Sequence, residues 1–185
     1  AEQFVLTQFF MRDPSDEPAI LIALEELLSS CQSLVTFNGK AFDLPLLKTR
    51  FITRGWRNPL ADFAHLDLLH LARRLWKDRL PSRTLGNLEV QILGVRRTAE
   101  DIPGWMIPEI YFEYLRSGDP LPLKNVIYHN AMDVLSLASL FVHSSWLLAD
   151  PLDGKVQEGS DLIAMAKLFE TLGDLDMAIE LYRRG

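Results

Sequence analysis

Apolar residues recur along the chain with two periods, one typical of strands and one typical of helices. Gln3–Phe10 and Ser33–Phe37 are rich in β-branched and aromatic residues, which predicts strands, and Asp62–Leu66 predicts a further short one. Apolar spacing of the helical kind predicts helices over residues 18–28, 42–54, 66–76, 84–94, 109–116 and 125–148. Short strands mixed with helices indicate an α/β domain.

The tail of the chain has its own pattern, because residues 161–185 contain two helical segments separated by the turn-like LGDLD. The large, small and glycine positions of this tail resemble one unit of a tetratricopeptide repeat: Leu162, Met165, Ala166, Phe169, Gly173, Ala178 and Tyr182. A generic helical hairpin is the alternative. We therefore expect one domain over residues 1–150 and a helical hairpin over residues 158–185, which packs on that domain or continues into further repeats.

The formal net charge of −6 argues against a protein that holds nucleic acid mainly by bulk electrostatics. Its distribution is uneven: residues 1–43 carry 2 Lys/Arg against 7 Asp/Glu, residues 44–100 carry 11 against 5, and residues 101–185 carry 6 against 13. A basic middle between acidic ends suits a phosphate-tracking surface beside an acidic metal site. Chance variation among helix surfaces explains the same distribution equally well.

The cysteine content and the hydropathy of the chain indicate its cellular compartment. The single Cys31 excludes an internal disulfide and suits a reducing cytosol. No continuous apolar run reaches the roughly 20 residues of a membrane helix, and the N-terminus shows no secretion signal. We therefore expect a cytoplasmic protein without a membrane partner. The chain starts without Met and offers fewer strands than an ordinary sheet, so we also expect a longer protein whose first strand lies upstream.

Asp43 is the first candidate for chemistry, within the stretch LVTFNGKAFDLPLLKTRF at residues 34–51. It follows a predicted strand, at the end of the sheet where open α/β folds place their ligands. Asn38 and Gly39 allow a sharp turn there, and Phe42 offers an aromatic face for a base. The alternative is ordinary helix-start chemistry, in which the Asp caps the helix.

Asp133 is the second candidate, because a carboxylate within a strongly apolar helix is costly to bury unless it meets a cation. His129 lies four residues earlier on the same helix face, and Tyr128 precedes it. The pair suits a metal ligand beside a proton acceptor. An Asp at the wet edge of the helix with a satisfied His is the alternative, and for this pair alone that interpretation is favoured.

Other polar and aromatic residues are expected to have structural roles. His65, Asp67 and His70 look like a metal cluster on paper, but Asp67 fits the N-cap of the helix that follows it. The tryptophans expected to anchor the core or loops are Trp56, Trp76 and Trp105.

The pattern N-G-x-x-F-D-x-P-x-L at residues 38–47 is similar to the second motif of the DEDD 3′–5′ exonucleases, in the form found in proofreading domains of family B DNA polymerases. Asp133, with an aromatic or imidazole four or five residues before it, resembles their third motif. The segments HLDLLHLARRLW, LGNLEVQILGV, DIPGWMIPEIYFEYLRSGD and YHNAMDVLSL resemble the YprB-type ribonuclease H-like proteins. The resemblance covers about residues 1–148.

This resemblance implies a ribonuclease H-like mixed sheet flanked by helices, with four acidic residues that bind two Mg²⁺ or Mn²⁺ ions. Asp43 and Asp133 match two of these ligands, and Phe42 and Asn38 match positions that contact the terminal nucleotide. The His variant of the family places its base five residues before the Asp, and the Tyr variant four. Here the order is swapped, with Tyr128 at −5 and His129 at −4. His129 is the preferred base, because it shares the helix face of the Asp and titrates near neutral pH; Tyr128 is the second candidate.

The family's first motif, Asp-x-Glu, is absent from residues 1–43. We expect it upstream, and we expect this chain without it to be feeble or inactive. The expected substrate is a single-stranded 3′ end, of DNA or of RNA. The alternative is a catalytically silent scaffold of the same fold that binds nucleic acid or, through its repeat, a protein partner.

Overall fold

Helices dominate the fold. The structure, a computed structural model, describes residues 3–98 and 101–185. In chain order its helices and strands are α1 (Glu17–Leu28), β1 (Ser33–Thr36), α2 (Asp43–Thr53), β2 (Ala64–Asp67), α3 (Leu68–Leu75), α4 (Leu85–Gln91), α5 (Ile107–Ser117), α6 (Leu123–Ala149), α7 (Gly159–Leu172) and α8 (Leu175–Arg184). Short 3₁₀ turns at Pro14–Asp16 and Gly104–Met106 precede α1 and α5. The mixed α/β class expected from the sequence is confirmed.

Strand β1 pairs in parallel with β2, and together they form a two-stranded sheet. Within the described residues this sheet is the only one, so the predicted strand over Gln3–Phe10 is wrong. The segment has β propensity, but propensity alone does not provide a neighbouring strand with which its backbone could pair. Its side chains make the contacts instead: the Gln8 amide donates to the Ile127 carbonyl at 2.9 Å, and the Phe10 ring lies 5.6 Å from that of Tyr114.

The chain divides into two compact units. The first comprises the described parts of residues 1–34, 44–64 and 96–136. Here Glu17, the first residue of α1, accepts from Arg50 of α2 and from Arg54, which follows that helix. These two guanidinium groups hold the pKa of Glu17 at about 2. Phe51 is fully buried, with its ring 6.4 Å from that of Trp56.

The second unit comprises residues 35–43, 65–95 and 137–185 and contains the largest apolar cluster among the described residues. Helix α3 contributes one face of this cluster because its apolar residues recur at helical spacing. The fully buried members include Leu68, Trp76, Leu88, Leu140, Met165 and Leu181. Trp76 is therefore a core residue, as the sequence predicts.

The C-terminal segment forms an α7–α8 hairpin within the second unit. Gly173 ends α7 with φ = 85°, a left-handed conformation that favours glycine, and Asp174 caps α8 by accepting from the Met177 N–H at 3.1 Å. Helix α7 contacts α3, and its residues Met165 and Ala166 lie in the core. The hairpin thus buries one face within the second unit.

Helix α6 is 27 residues long and is apolar enough, by length and composition, to cross a membrane. The expectation from the sequence was based on continuous apolar runs, whereas polar residues interrupt the apolar ones in α6. A core helix of a soluble protein meets the same criterion; Leu140 of α6 is fully buried, but only 17% of the apolar window of α6 is buried. The length of α6 is therefore weak evidence about a membrane.

Candidate functional site

The turn after β1 is fixed by a close backbone approach. Asn38 has φ = 64°, the left-handed region that Asn tolerates better than most residues. A Cβ at Gly39 would lie 2.6 Å from the Cβ of Thr36, closer than real Cβ atoms come. The Asn-Gly pair is therefore required by the geometry of this turn.

Asp67, at the end of β2, holds the same turn. Its buried carboxylate accepts from the backbone N–H groups of Asn38 at 2.8 Å, Lys40 at 3.0 Å and Leu69 at 3.1 Å. Burial raises the pKa of Asp67, but the three N–H donors outweigh it and keep the pKa below its ordinary value. The prediction that Asp67 caps the following helix is confirmed, and its hold on the turn is additional.

Beside it, His65 extends this support, since its Nε2 lies 2.8 Å from the Thr36 hydroxyl. Burial lowers the pKa of His65, and nearby Lys40 lowers it further. The expectation that His65 and Asp67 are structural agrees with these contacts.

Asp43 follows this turn as the first residue of α2. Its side chain is exposed, and its carboxylate has no hydrogen bond or ion pair with the residues that the structure describes. A negative charge there suits the helix dipole. Asn38 is also exposed, and Phe42 is 68% exposed. The second unit therefore presents three of the predicted site residues on one exposed turn.

Asp133 and His129 lie on one face of α6 in the first unit. His129 Nε2 is 3.5 Å from Asp133 Oδ2, while its Nδ1 is 2.7 Å from Asp101 Oδ1. The Asp101 carboxylate only accepts, so a proton on Nδ1 is directed to it, while Nε2 faces the Asp133 carboxylate. The Asp101–His129 contact thus orients the ring as a base would need.

Arg97 completes this cluster. Its Nη2 donates to Asp133 Oδ1 at 2.5 Å, and its Nη1 lies 3.4 Å from Asp101 Oδ2. The Arg97 side chain is 13% exposed and that of Asp133 is 40% exposed. The expectation that an Asp in this helix needs a cation is met by a guanidinium.

Sequence reasoning missed both Arg97 and Asp101. The basic pair RR and the acid that follows it in GVRRTAED are the only local signal, and such pairs are common on surfaces. Tyr128, the second candidate base, directs its hydroxyl to that of Thr98 at 3.0 Å.

The prediction for Trp105 has a different outcome from that for Trp76. Trp105 is 76% exposed, so the expectation that it anchors the core or a loop is wrong. It lies in the 3₁₀ turn between Pro103 and Ile107, where the described part of the chain leaves its indole largely uncovered. The neighbouring Gly104 would place a Cβ 3.7 Å from His129 Nε2, so this turn adjoins the imidazole.

The donor chemistry suits Mg²⁺ or Mn²⁺, but the arrangement suits it only in part. Asp43 offers exposed carboxylate oxygens, which these ions prefer. At Asp133, by contrast, Arg97 holds one carboxylate oxygen. Among the described residues no group of three His, Cys, Asp or Glu side chains is arranged to hold a metal ion. Arg97 is therefore the cation that this cluster contains.

Comparison with known proteins bears on the fold and the family. A family model described as the RNase H superfamily matches residues 1–145. Over 186 residues the chain is 41% identical to a protein of Bacillus subtilis (strain 168) that carries the name "Uncharacterized protein YprB". That match covers 99% of this chain and 44% of the relative, so the chain spans less than half of the relative's length. No solved structure matches.

Proposed function

We propose, from the premise that this chain belongs to the RNase H superfamily, that it is part of a metal-dependent nuclease that removes nucleotides from a single-stranded 3′ end. Members of the superfamily generally hydrolyse nucleic acids, and its nucleases commonly use divalent metals. The finer assignment to the DEDD 3′–5′ exonucleases rests on the motif at residues 38–47 and on Asp133. The observation that carries the proposal is the exposed carboxylate of Asp43 on a rigidly held turn.

The proposed metal ligands are Asp43 and Asp133, completed by two carboxylates that the resemblance places upstream of residue 43. Two bound Mg²⁺ or Mn²⁺ ions would stabilise the attacking and leaving oxygens of the phosphodiester. The chain's own contribution at Asp43 is a preformed position, because the turn is fixed by Asp67 and Gly39 before any ligand binds. Such preorganisation lowers the cost of binding.

His129 is the proposed base. Asp101 holds Nδ1, which leaves Nε2, 3.5 Å from Asp133 Oδ2, as the nitrogen proposed to accept a proton from the attacking water. Tyr128 remains the second candidate, and its hydroxyl is engaged with Thr98. Replacement of His129 by Gln is expected to lower turnover by about 10²- to 10⁴-fold, whereas Tyr128→Phe should leave it nearly unchanged. The opposite result would make Tyr128 the base.

Exposed aromatic side chains support a single-stranded substrate. Phe42, beside Asp43, and Trp105, one residue after the glycine that adjoins His129, each expose most of an aromatic face. Base stacking on such faces is tolerant of sequence and needs unpaired bases. Asn38, Phe42 and Trp105 are the proposed substrate contacts, and none of them distinguishes DNA from RNA.

We also propose a cytoplasmic location. The hairpin α7–α8 is the proposed contact for a protein partner or for a further repeat. This proposed contact is supported by apolar surface that the hairpin leaves uncovered within the described residues. The exposed apolar residues are Leu172, Leu175, Ile179 and Tyr182. An isolated repeat unit needs a neighbour to bury such a face.

The test is degradation of 5′-labelled single-stranded DNA and RNA by the full-length gene product in Mn²⁺ or Mg²⁺. We expect a ladder of products shortened from the 3′ end, and we expect Asp43→Asn and Asp133→Asn to abolish it. Asp62→Asn is the control, because this carboxylate is exposed and pairs only with exposed Arg57 among the described residues. Undiminished activity in either site variant contradicts the assignment.

A catalytically silent scaffold is the second candidate, and one observation favours it. The carboxylates of Asp101 and Asp133 both pair with Arg97 within the protein. A scaffold would bind the same oligonucleotides and leave them intact, with equal affinity in Asp43→Asn. The degradation assay combined with a binding measurement therefore separates the two functions.

A further inference from the structure

Arg97 is placed where a cation at Asp133 would be needed. Its Nη2 lies 2.5 Å from Asp133 Oδ1, and its Nη1 reaches the Asp101 carboxylate at 3.4 Å. The guanidinium is mostly buried, so its charge is poorly screened by water. One positive side chain therefore faces two carboxylates that belong to different segments of the first unit.

A divalent ion and this guanidinium cannot both be close to the same carboxylate without strong repulsion. The two positive charges would lie a few ångströms apart, and the Arg97 side chain is only 13% exposed, so water screens their repulsion incompletely. The carboxylate oxygen Oδ1 is already engaged by Nη2. Metal binding at Oδ1 of Asp133 thus requires that the Arg97 hydrogen bond break.

The position of Arg97 along the chain permits this change. It lies in the connection between α4 and the 3₁₀ turn at Gly104–Met106, where residues 95–98 have neither helix nor strand structure. A side chain on such a connection can withdraw without breaking a regular element. Asp133, in contrast, is fixed within the long helix α6.

We propose that Arg97 is an internal competitor of the divalent ion at Asp133: it neutralises the carboxylate in the metal-free protein and leaves it when the ion binds. This inference rests on the proposed function, in which Asp133 is a metal ligand. Its consequence is that the chain binds metal more weakly than its carboxylates alone would allow. In the metal-free protein, Arg97 would offset the repulsion between the carboxylates of Asp101 and Asp133.

The test is a Mn²⁺ titration, with free Mn²⁺ followed by electron paramagnetic resonance. Arg97→Gln removes the charge and should bind Mn²⁺ about tenfold more tightly than the wild type, which corresponds to one lost charge-assisted hydrogen bond. Arg97→Lys keeps a cation and should stay within about twofold of the wild type. The double variant Arg97→Gln/Asp133→Asn should lose the gain.

Arg54→Gln is the matched control. It removes one positive charge from the same unit, where Arg54 pairs with Glu17 at 2.7 Å, and it should leave Mn²⁺ affinity unchanged. A gain in Arg54→Gln equal to that in Arg97→Gln would reduce the effect to net charge and overturn the inference. Equal affinity in Arg97→Gln and wild type, with loss in Asp133→Asn, overturns it while the proposed function stands. Wild-type affinity in both Asp43→Asn and Asp133→Asn overturns the proposed function and this inference together.

A second measurement needs no variant, so it decides the matter even if Arg97→Gln does not fold. In nitrogen-edited NMR spectra the Arg97 guanidinium protons should be protected from exchange in the metal-free protein. Saturation with Mg²⁺ should remove that protection while the Arg54 signals stay unchanged. Protection of Arg97 that persists at saturating Mg²⁺ contradicts the proposed competition.

Discussion

Between Asn38 and Asp43 hydrogen bonds restrain the backbone, whereas at Asp133 they restrain the side chain. Asp67 takes the backbone N–H groups of the first segment and leaves the Asp43 carboxylate exposed. At Asp133 the helix supplies the backbone order, and the carboxylate itself is held by Arg97. Both aspartates match family motifs, yet only one is open to a ligand in this arrangement.

The difference shows that a carboxylate can serve the fold or the ligand, and that its partners decide which. Asp67 is 2% exposed, and its carboxylate oxygens accept from three backbone N–H groups, which makes it a structural residue. Asp43 has no partner among the described residues, so its charge costs little in water and is available. Asp133 is an intermediate case, because its carboxylate has a partner, Arg97, but that partner is a side chain that can move.

Replacement of Asp67 by Asn should have the largest effect on stability, because Asp67 holds the turn that precedes Asp43. Asn has one acceptor oxygen and an amide that itself donates, so at least one of the N–H groups of Asn38, Lys40 and Leu69 would face a donor. We expect a loss of roughly 3 to 4 kcal/mol in the free energy of unfolding, measured with urea. The exposed Asp62→Asn should cost less than about 0.5 kcal/mol.

Replacement of Gly39 by Ala should distort the turn that precedes Asp43. The new Cβ would lie 2.6 Å from the Thr36 Cβ, an atom that cannot move without its strand. We expect a loss of roughly 2 to 3 kcal/mol in the free energy of unfolding. Gly86→Ala is the matched control: it lies in α4 with nothing within 4 Å of an added Cβ, so it should be neutral or slightly stabilising. Equal losses in the two variants would argue against a constrained turn.

The pair Arg79–Asp161 in the second unit gives a pH-dependent counterpart to Arg97–Asp133. Its atoms Nη2 and Oδ2 are 3.3 Å apart, and burial raises the pKa of Asp161 to about 6 in spite of the arginine. The folded state then binds more protons than the unfolded state between about pH 4 and 6, so this group's stabilisation falls as pH rises through that window. Wild type should lose about 2 kcal/mol relative to Asp161→Asn between pH 4 and 7.

Asp153 should show the opposite slope. The hydrogen bond from Lys155 lowers the pKa of Asp153, so its contribution is present above the ordinary Asp pKa and disappears as pH falls below it. The comparison of Asp153→Asn with wild type should therefore favour wild type more at pH 7 than at pH 3. Parallel slopes for the Asp161 and Asp153 variants in urea titrations would contradict both assignments.

Much of the local structure follows from the sequence. The long helix predicted over residues 125–148 is α6, and Gly55 and Gly94 have the positive φ angles expected of glycines that follow α2 and α4. Asp67 was recognisable as a cap because Leu68 opens an apolar stripe directly after it. These features depend on neighbours a few residues away, which a sequence displays.

The rest depends on partners that are distant in sequence. Arg97 and Asp133 are 36 residues apart, and no local pattern indicates their contact. The segment Gln3–Phe10 has the composition of a strand, but composition cannot supply a pairing partner. Trp105 was expected to be covered because most tryptophans are, and only the three-dimensional arrangement shows that it is not.

The most direct measurement compares the free energy of unfolding of Asp43→Asn and Asp133→Asn, both without metal. The account predicts a change below about 0.5 kcal/mol for Asp43→Asn, because its carboxylate has no partner within the described chain. It predicts a loss of about 1 kcal/mol for Asp133→Asn, because Arg97 loses a charge-assisted hydrogen bond. A larger loss in Asp43→Asn than in Asp133→Asn would contradict the account.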